Sequence, residues 1–524
     1  MTKITPYFKN KDFTDRIQPF GLVLSVDSYG WKSIGGPAQA RITAIGDEMQ
    51  LWQLYQLLRA PVEMQDEQSY KVWWGWVESV EITTEKITAV YTLDTMYNRV
   101  AVAYTATDNG GGSYDRATTA WAQDDTSVVN FGYKELLSSG ANSGSATAIK
   151  TRDTILANSK DTIPVIQLKD GNLKQPYAKI NCKGWFETLK WRYYSDPDGY
   201  QQFASGSAIQ DFAMNSGSAV SLAQSFTLSG NWNADTLAVN VKKIGVPADN
   251  LTVALHETHA SGSIPGTLID SGAISGTTLT ENYDWHDTEI TAPNLTNGTN
   301  YWIVLSRTGG YDGSNYYSAQ MDETALSGSF VLKTASSAWG TRSPFATMNY
   351  RILGGAETTD QINRASGSVN GAGQFLAGTL IDDRSLVYTN QYRDGDTTCG
   401  FEIEENLALG TSTDSRMLAE VTKDRYLRVY AEPAAPADNA IDTLFILRDG
   451  TYQTATGATV PKHRMRPGQW LRMKDLLPAV LSQSMTPDPS LIFIEETDYT
   501  PDTGSLKIVT RNYKTPLDKR LRDG

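Results

Sequence analysis

The sequence predicts a mainly β, multidomain protein: small β-barrels with a few short helices, and a β-sandwich inserted near the middle. Three observations lead there. The chain has 524 residues, more than one hydrophobic core usually organises. Short runs rich in Val, Ile, Thr and aromatics, separated by Gly, Asn, Pro and Asp, recur along most of it. Finally, residues 208–350 carry 12 Asp plus Glu against 5 Lys plus Arg, a local shift in composition that marks an autonomous, solvent-facing module.

The boundaries follow from glycine- and serine-rich breaks. They divide the chain into an N-terminal barrel domain (1–105), a connecting α+β domain (106–205), the inserted sandwich (206–355) and a C-terminal β-rich domain (356–524). In the first domain, strands are expected over 22–45 and 71–91. Between them Leu51, Leu54, Tyr55 and Leu58 fall at helical spacing, with Asp47 as N-cap and Pro61 beyond the end. Further helices are expected over Thr126–Leu137 and Thr147–Ser159, and strands over Ala178–Cys182 and Gly184–Tyr194.

In the sandwich, strands are read at Ser225–Leu228, Leu237–Lys243, Leu251–His256, Thr288–Ile290 and Tyr301–Leu305. Those of the last domain are Ser385–Gln391, Tyr426–Tyr430, Thr443–Leu447, Trp470–Met473, Leu491–Glu495 and Leu506–Thr510. No heptad or solenoid period runs through the chain.

Charge and composition narrow the function classes. A net charge of -13 opposes sequence-independent binding to nucleic acid or to anionic membranes. Apolar runs are too short for a membrane span. Met1–Gly21 has no basic start, apolar stretch and cleavage site, so synthesis in the cytoplasm is expected. The two cysteines, Cys182 and Cys399, lie in no metal or redox spacing and read as buried thiols.

Catalytic motifs are lacking. His256 and His259 are three apart, where helical zinc proteases need four, and His286 and His463 stand alone. No Gly-x-Ser-x-Gly elbow occurs, and Gly110–Gly112 and Gly309–Gly310 do not run from a strand into a helix. Glu404–Glu405 and Glu495–Glu496 could resemble a glycosidase pair, but adjacent residues of a strand point to opposite faces. The expectation is a protein that is not an enzyme and has no metal and no cofactor.

Aromatic residues carry more information. In Trp73-Trp74-Gly75-Trp76 the rings alternate faces, so at least one face must pack on another element or another subunit. All three tryptophans are interface candidates, with packing in the chain's own core the alternative. In the inserted module Tyr283, Trp285, Tyr311, Tyr316 and Tyr317 fall in segments that read as loops. Such rings can stack on the apolar face of a sugar, which makes them glycan-binding candidates, or they can cap the sandwich core.

Several stretches together resemble the tail-tip or baseplate hub proteins of long-tailed bacteriophages. They are WQLYQLLRAPVEM, VWWGWVESVEI, TLDTMYNRVAVAYT, INCKGWFETLKWRYY, RYLRVYAEP, RPGQWLRMKDLLP and IFIEETDYTPDTGSL. The module, with QSFTL, LTVALHET, IPGTLIDSG and NLTNGTNYWIVLS, resembles accessory, carbohydrate-binding-like β-sandwiches of phage and bacterial surface proteins.

The hub resemblance implies a virion location at the tail tip and a homotrimer of paired small barrels. Its partners would be the tail tube or distal tail protein and tip or fibre proteins. The alternatives are an adsorption protein that binds a host glycan through residues 208–350 and, behind it, a polysaccharide depolymerase.

Overall fold

The structure, a computed structural model, describes all residues except 1, 18–20, 106–115, 140–143, 171–174, 196–208, 215–218, 228–231, 297, 308–312, 323–327, 335–337, 342–346, 357, 368–372, 382–393, 410–415, 435–443, 448, 474–490 and 512–524. The strand expected over 385–391, the glycine runs 110–112 and 309–310, and Tyr311 lie outside the described residues. The fold is mainly β and multidomain, as the sequence predicts. It divides into two compact units, one of Met1–Tyr194, Ile362–Ser385 and Asp396–Gly524, the other of Ser195–Gln361 and Leu386–Gly395.

The first unit is organised by the strand Lys71–Thr83, whose first half pairs with Pro61–Gln65 and whose second half pairs with Ile87–Thr92. Tyr177–Lys183 pairs with its Trp76–Thr83 stretch and also with the strand Ile34–Ile45. Next comes Val23–Lys32, and Tyr29–Lys32 then pairs with Glu496–Tyr499 of the strand Leu491–Thr500. The first and last quarters of the sequence therefore share one sheet.

That sheet does not close into the barrels expected from the sequence. Lys71–Thr83 serves two partners along one edge, and Ile34–Ile45 takes a short parallel partner at Ile34–Gly35, so the sheet forks instead of returning on itself. Among the described strands no pairing completes a ring.

Strand patterning explains the core. In Tyr177–Lys183, Ala178, Ile180 and Cys182 point inward while Lys179, Asn181 and Lys183 do not. Lys71–Thr83 is buried on both faces for most of its length, in keeping with the apolar run Val72–Val77 broken only by Gly75, while Glu78 and Ser79 are buried polar residues. Two glycines allow the close packing. A Cβ on Gly75 would sit 2.1 Å from the Lys183 carbonyl oxygen, and one on Gly184 would sit 1.7 Å from that of Pro37.

Gly184 opens a 3-10 helix, Trp185–Trp191, where the sequence suggested a strand. Its Trp185, Phe186, Leu189 and Trp191 all turn into the core, a pattern closer to three than to two. A smaller sheet sets Arg99–Thr105 parallel to Glu135–Ser139. Helix Ser145–Ser159 packs against Arg99–Thr105.

The second unit is a β-sandwich of two six-stranded antiparallel sheets. One contains Ile209–Ala213, Tyr316–Asp322, Trp232–Ile244 and Asp284–Leu295, with Thr347–Met348 and Tyr350–Ala356 beside them. The other runs Pro265–Ile274, Leu251–Thr258, Asn300–Arg307, Ser221–Thr227, Phe330–Lys333 and Gly340–Thr341. Alternate residues of both sheets, such as Leu237, Val239 and Val241 against Val253, Leu255 and Ile303, form the core between them.

Candidate functional site

Two surfaces have the residues and the exposure to act: an edge strand of the first unit and one face of the sandwich. The edge strand is Val165–Leu168, which pairs only with Leu168↔Ile87 through Val165↔Val90 among the described strands. It begins after Pro164, whose missing N–H suits an edge. Its side chains are exposed on both faces: Val165 68%, Ile166 59% and Leu168 79%, with Ile163 beside them at 68%. Exposed strand edges normally carry lysine or an inward charge that discourages pairing. No residue of Val165–Leu168 is charged. Apolar side chains left open beside unpaired backbone groups are what a partner strand would cover.

Three of the aromatic candidates of the sandwich, Trp285, Tyr316 and Tyr317, lie on strands, whereas Tyr283 lies in the loop just before one, as the sequence suggests. Trp285 belongs to Asp284–Leu295 and stands opposite Asn240, while Tyr316 and Tyr317 belong to Tyr316–Asp322 and stand opposite Ile244 and Lys243. Tyr317 is fully buried, and its hydroxyl donates to the Asp249 carbonyl. Burial and the Asp249 carboxylate push that hydroxyl up to about 12. Asp249 also receives Arg307, Nε to Oδ2 at 3.0 Å and Nη2 to Oδ1 at 2.6 Å. Tyr317 is thus a core staple, and it has no ring face to offer a ligand.

Trp285 and Tyr283 are half-buried and sit on the face turned away from the core. Arg351 lies 3.9 Å from the centroid of the Trp285 ring and Lys242 lies 4.3 Å from that of Tyr283. Tyr283 also shares a hydrogen bond with the Ser318 hydroxyl at 2.9 Å. Pairing places Asn240 and Trp285 on one face, with Arg351 opposite Ala238 on that same face. The structure therefore gathers Trp285, Tyr283, Asn240, Lys242 and Arg351 on one outer face of the sandwich.

The three tryptophans proposed for an interface are packed inside the chain. Trp73, Trp74 and Trp76 are 0%, 4% and 1% exposed. Trp74 meets Trp31 edge-on at 4.9 Å and Trp76 meets Trp191 edge-on at 5.0 Å on one face of the strand, and Trp73 on the other is fully buried, so both faces are covered by the chain itself.

The remaining polar motifs are locally engaged. His256 Nδ1 lies 3.0 Å from the Gly266 carbonyl oxygen, and His259 Nδ1 accepts from the Ser261 amide. Among the described residues no group of three His, Cys, Asp or Glu is arranged to hold a metal. Glu404 and Glu405 sit on helix Cys399–Leu409, not on a strand. Glu495 falls at a break in strand register and binds Arg416 at 2.7 Å, while the Ser33 hydroxyl donates to it. Sequence reasoning missed the Ile163–Leu168 edge because an apolar run reads as buried whatever covers it.

Comparison with known proteins adds little. No family model matches the chain, and no curated protein matches it. Among solved structures, similarity is found to T=1 particles derived from infectious bursal virus, at 11% identity and TM-score 0.11 over 57% of this chain and 68% of that one. The subviral particle of infectious bursal disease virus VP2 gives 10% identity and TM-score 0.12 over 57% and 70%. The Gt strain of that virus gives 9% and 0.12 over 67% and 78%. At such scores the likeness carries no argument for fold or function.

Proposed function

We propose that this chain is a structural protein of a bacteriophage tail tip, a hub that organises or closes the end of the tail tube as a homotrimer and displays the sandwich outward. The observation that carries the reading is the uncharged apolar edge at Ile163–Leu168, which a second copy would cover by adding a strand. Resemblance of the flanking stretches to hub proteins supplies the setting. Burying one aliphatic side chain is worth about 1.5–3 kcal/mol, so two per contact dominate a small interface. The double substitution Ile166→Lys with Leu168→Lys should therefore weaken association by about two orders of magnitude or more. Light scattering on the purified chain at micromolar concentration tests this. A wild-type monomer, or a variant that remains trimeric, would refute the reading.

A second reading, a glycan-binding adsorption protein, is favoured by the half-exposed Trp285 beside Asn240 and Arg351. Deleting residues 208–350 separates the two. A hub without its module still builds tails that adsorb, whereas a receptor binder yields intact particles that fail to adsorb.

A further inference from the structure

We infer that the first unit contains a binding site for the carboxylate of an acidic, uronate-type oligosaccharide, centred on Arg466. This goes beyond the assembly reading and does not depend on it. A cleft of about 760 Å³ opens above Trp74, with Tyr70, Leu380, Tyr426 and Arg466 among its walls. Its size suits a ligand of a few rings.

Arg466 is held in place by stacking: its guanidinium lies 4.3 Å from the Trp31 ring, 5.0 Å from Trp74 and 5.6 Å from Tyr70. One of its N–H groups donates to the Lys71 carbonyl at 3.2 Å. Among the described residues it has no carboxylate partner. The other charges of the cleft are matched: Lys71 with Glu63, Lys423 with Asp424, and Glu420 with Arg428. A planar cation fixed between aromatic rings, with donors to spare, is preorganised for bidentate binding of a carboxylate.

The rest of the lining selects among anions. Tyr426 is 37% exposed, which leaves ring surface for a pyranose to stack on, while the Tyr70 ring already has Arg464 at 4.6 Å and Arg466 at 5.6 Å. Ser69, Thr422, Glu420 and Asp424 supply hydroxyl and carboxylate partners for sugar hydroxyls. The two rim carboxylates oppose a phosphate dianion or a polyanion. They tolerate one carboxylate seated on Arg466.

Calorimetry on the full chain, with aldotriouronic acid, which carries a single carboxylate, its methyl ester and neutral xylotriose as probes, tests the site. The acid should bind, and the ester and the neutral sugar should bind about tenfold more weakly or worse. Arg466→Met should cause the same loss for the acid while leaving the residual binding of the ester unchanged. If Arg466→Met does not fold, Tyr426→Ala at the exposed rim should weaken the acid severalfold with an unchanged melting temperature. No binding of aldotriouronic acid at millimolar concentration, equal binding of acid and ester, or full affinity in a folded Arg466→Met or Tyr426→Ala variant would overturn the proposal.

Discussion

Trp76→Ala is expected to destabilise the first unit by about 3–5 kcal/mol, a large share of the 5–15 kcal/mol that typically separates a folded domain from its unfolded chain. The indole is 1% exposed and sits where Lys71–Thr83 passes from one partner strand to another, so no single neighbour can relax into the vacated space. Its loss removes the edge-to-face contact with Trp191 at 5.0 Å. It also leaves the Gly184 carbonyl without the N–H that donates to it at 3.2 Å. Gly184 cannot move inward to compensate, because its backbone already touches that of Pro37. Trp76→Phe keeps a ring but not the donor, and should cost about half as much. Urea unfolding followed by circular dichroism measures both. A loss below about 1 kcal/mol for the alanine variant would mean the tryptophan cluster is not the keystone its packing implies.

The same region shows what a sequence reader can and cannot see. Asp47 was legible as an N-cap because the evidence is local: its carboxylate accepts from the Met49 amide at 2.9 Å. The α-helix that follows is shorter than the apolar spacing suggests, Glu48–Trp52, and continues as a 3-10 turn to Leu57. The helix expected over Thr126–Leu137 stops at Phe131, where Gly132 adopts φ 82. Leu136 and Leu137 go instead to a parallel pairing with Val100 and Ala101. There a long-range partner outbids local periodicity.

Barrel closure failed for a related reason. Alternation says which face of a strand is buried, and nothing about whether one edge will accept two partners. The aromatic candidates divide similarly. All are aromatics in polar surroundings by sequence, yet register turns Tyr317 inward and Trp285 outward. Residue type gave the chemistry of the sandwich face, and strand parity decided its membership.

Asp66→Ala should cost about 3–5 kcal/mol at neutral pH, and less as the pH falls. Asp66 closes the turn between Pro61–Gln65 and Lys71–Thr83, where one carboxylate oxygen accepts from the amides of Gln68 and Tyr70, each at 2.9 Å. The other accepts from Arg464 Nε at 2.8 Å and lies 3.0 Å from His463 Nε2, almost four hundred positions along the chain. Tyr29 donates its hydroxyl to the His463 carbonyl at 2.6 Å, which fixes the same turn from the opposite side.

A single buried carboxylate thus joins a local turn to a distant segment, and its removal leaves Arg464 and His463 without their shared acceptor. Asp66→Asn keeps the turn's acceptor but sets an NH₂ group against those donors, so it should recover only part of the loss. Burial works to raise the Asp66 carboxyl, but hydrogen bonds from Arg464, the Tyr70 amide, His463 and the Gln68 amide outweigh it and hold the pKa below the usual value. In the unfolded chain the group titrates near about 3.9. Its contribution is therefore complete above that value and disappears as the pH falls through the lower folded one. Wild type and Asp66→Ala, unfolded in urea at steps from neutral pH down to about 3, should converge in stability over the acid end of the range. A gap that stays constant to the lowest pH would show that the carboxylate's charge is not what holds the two segments together.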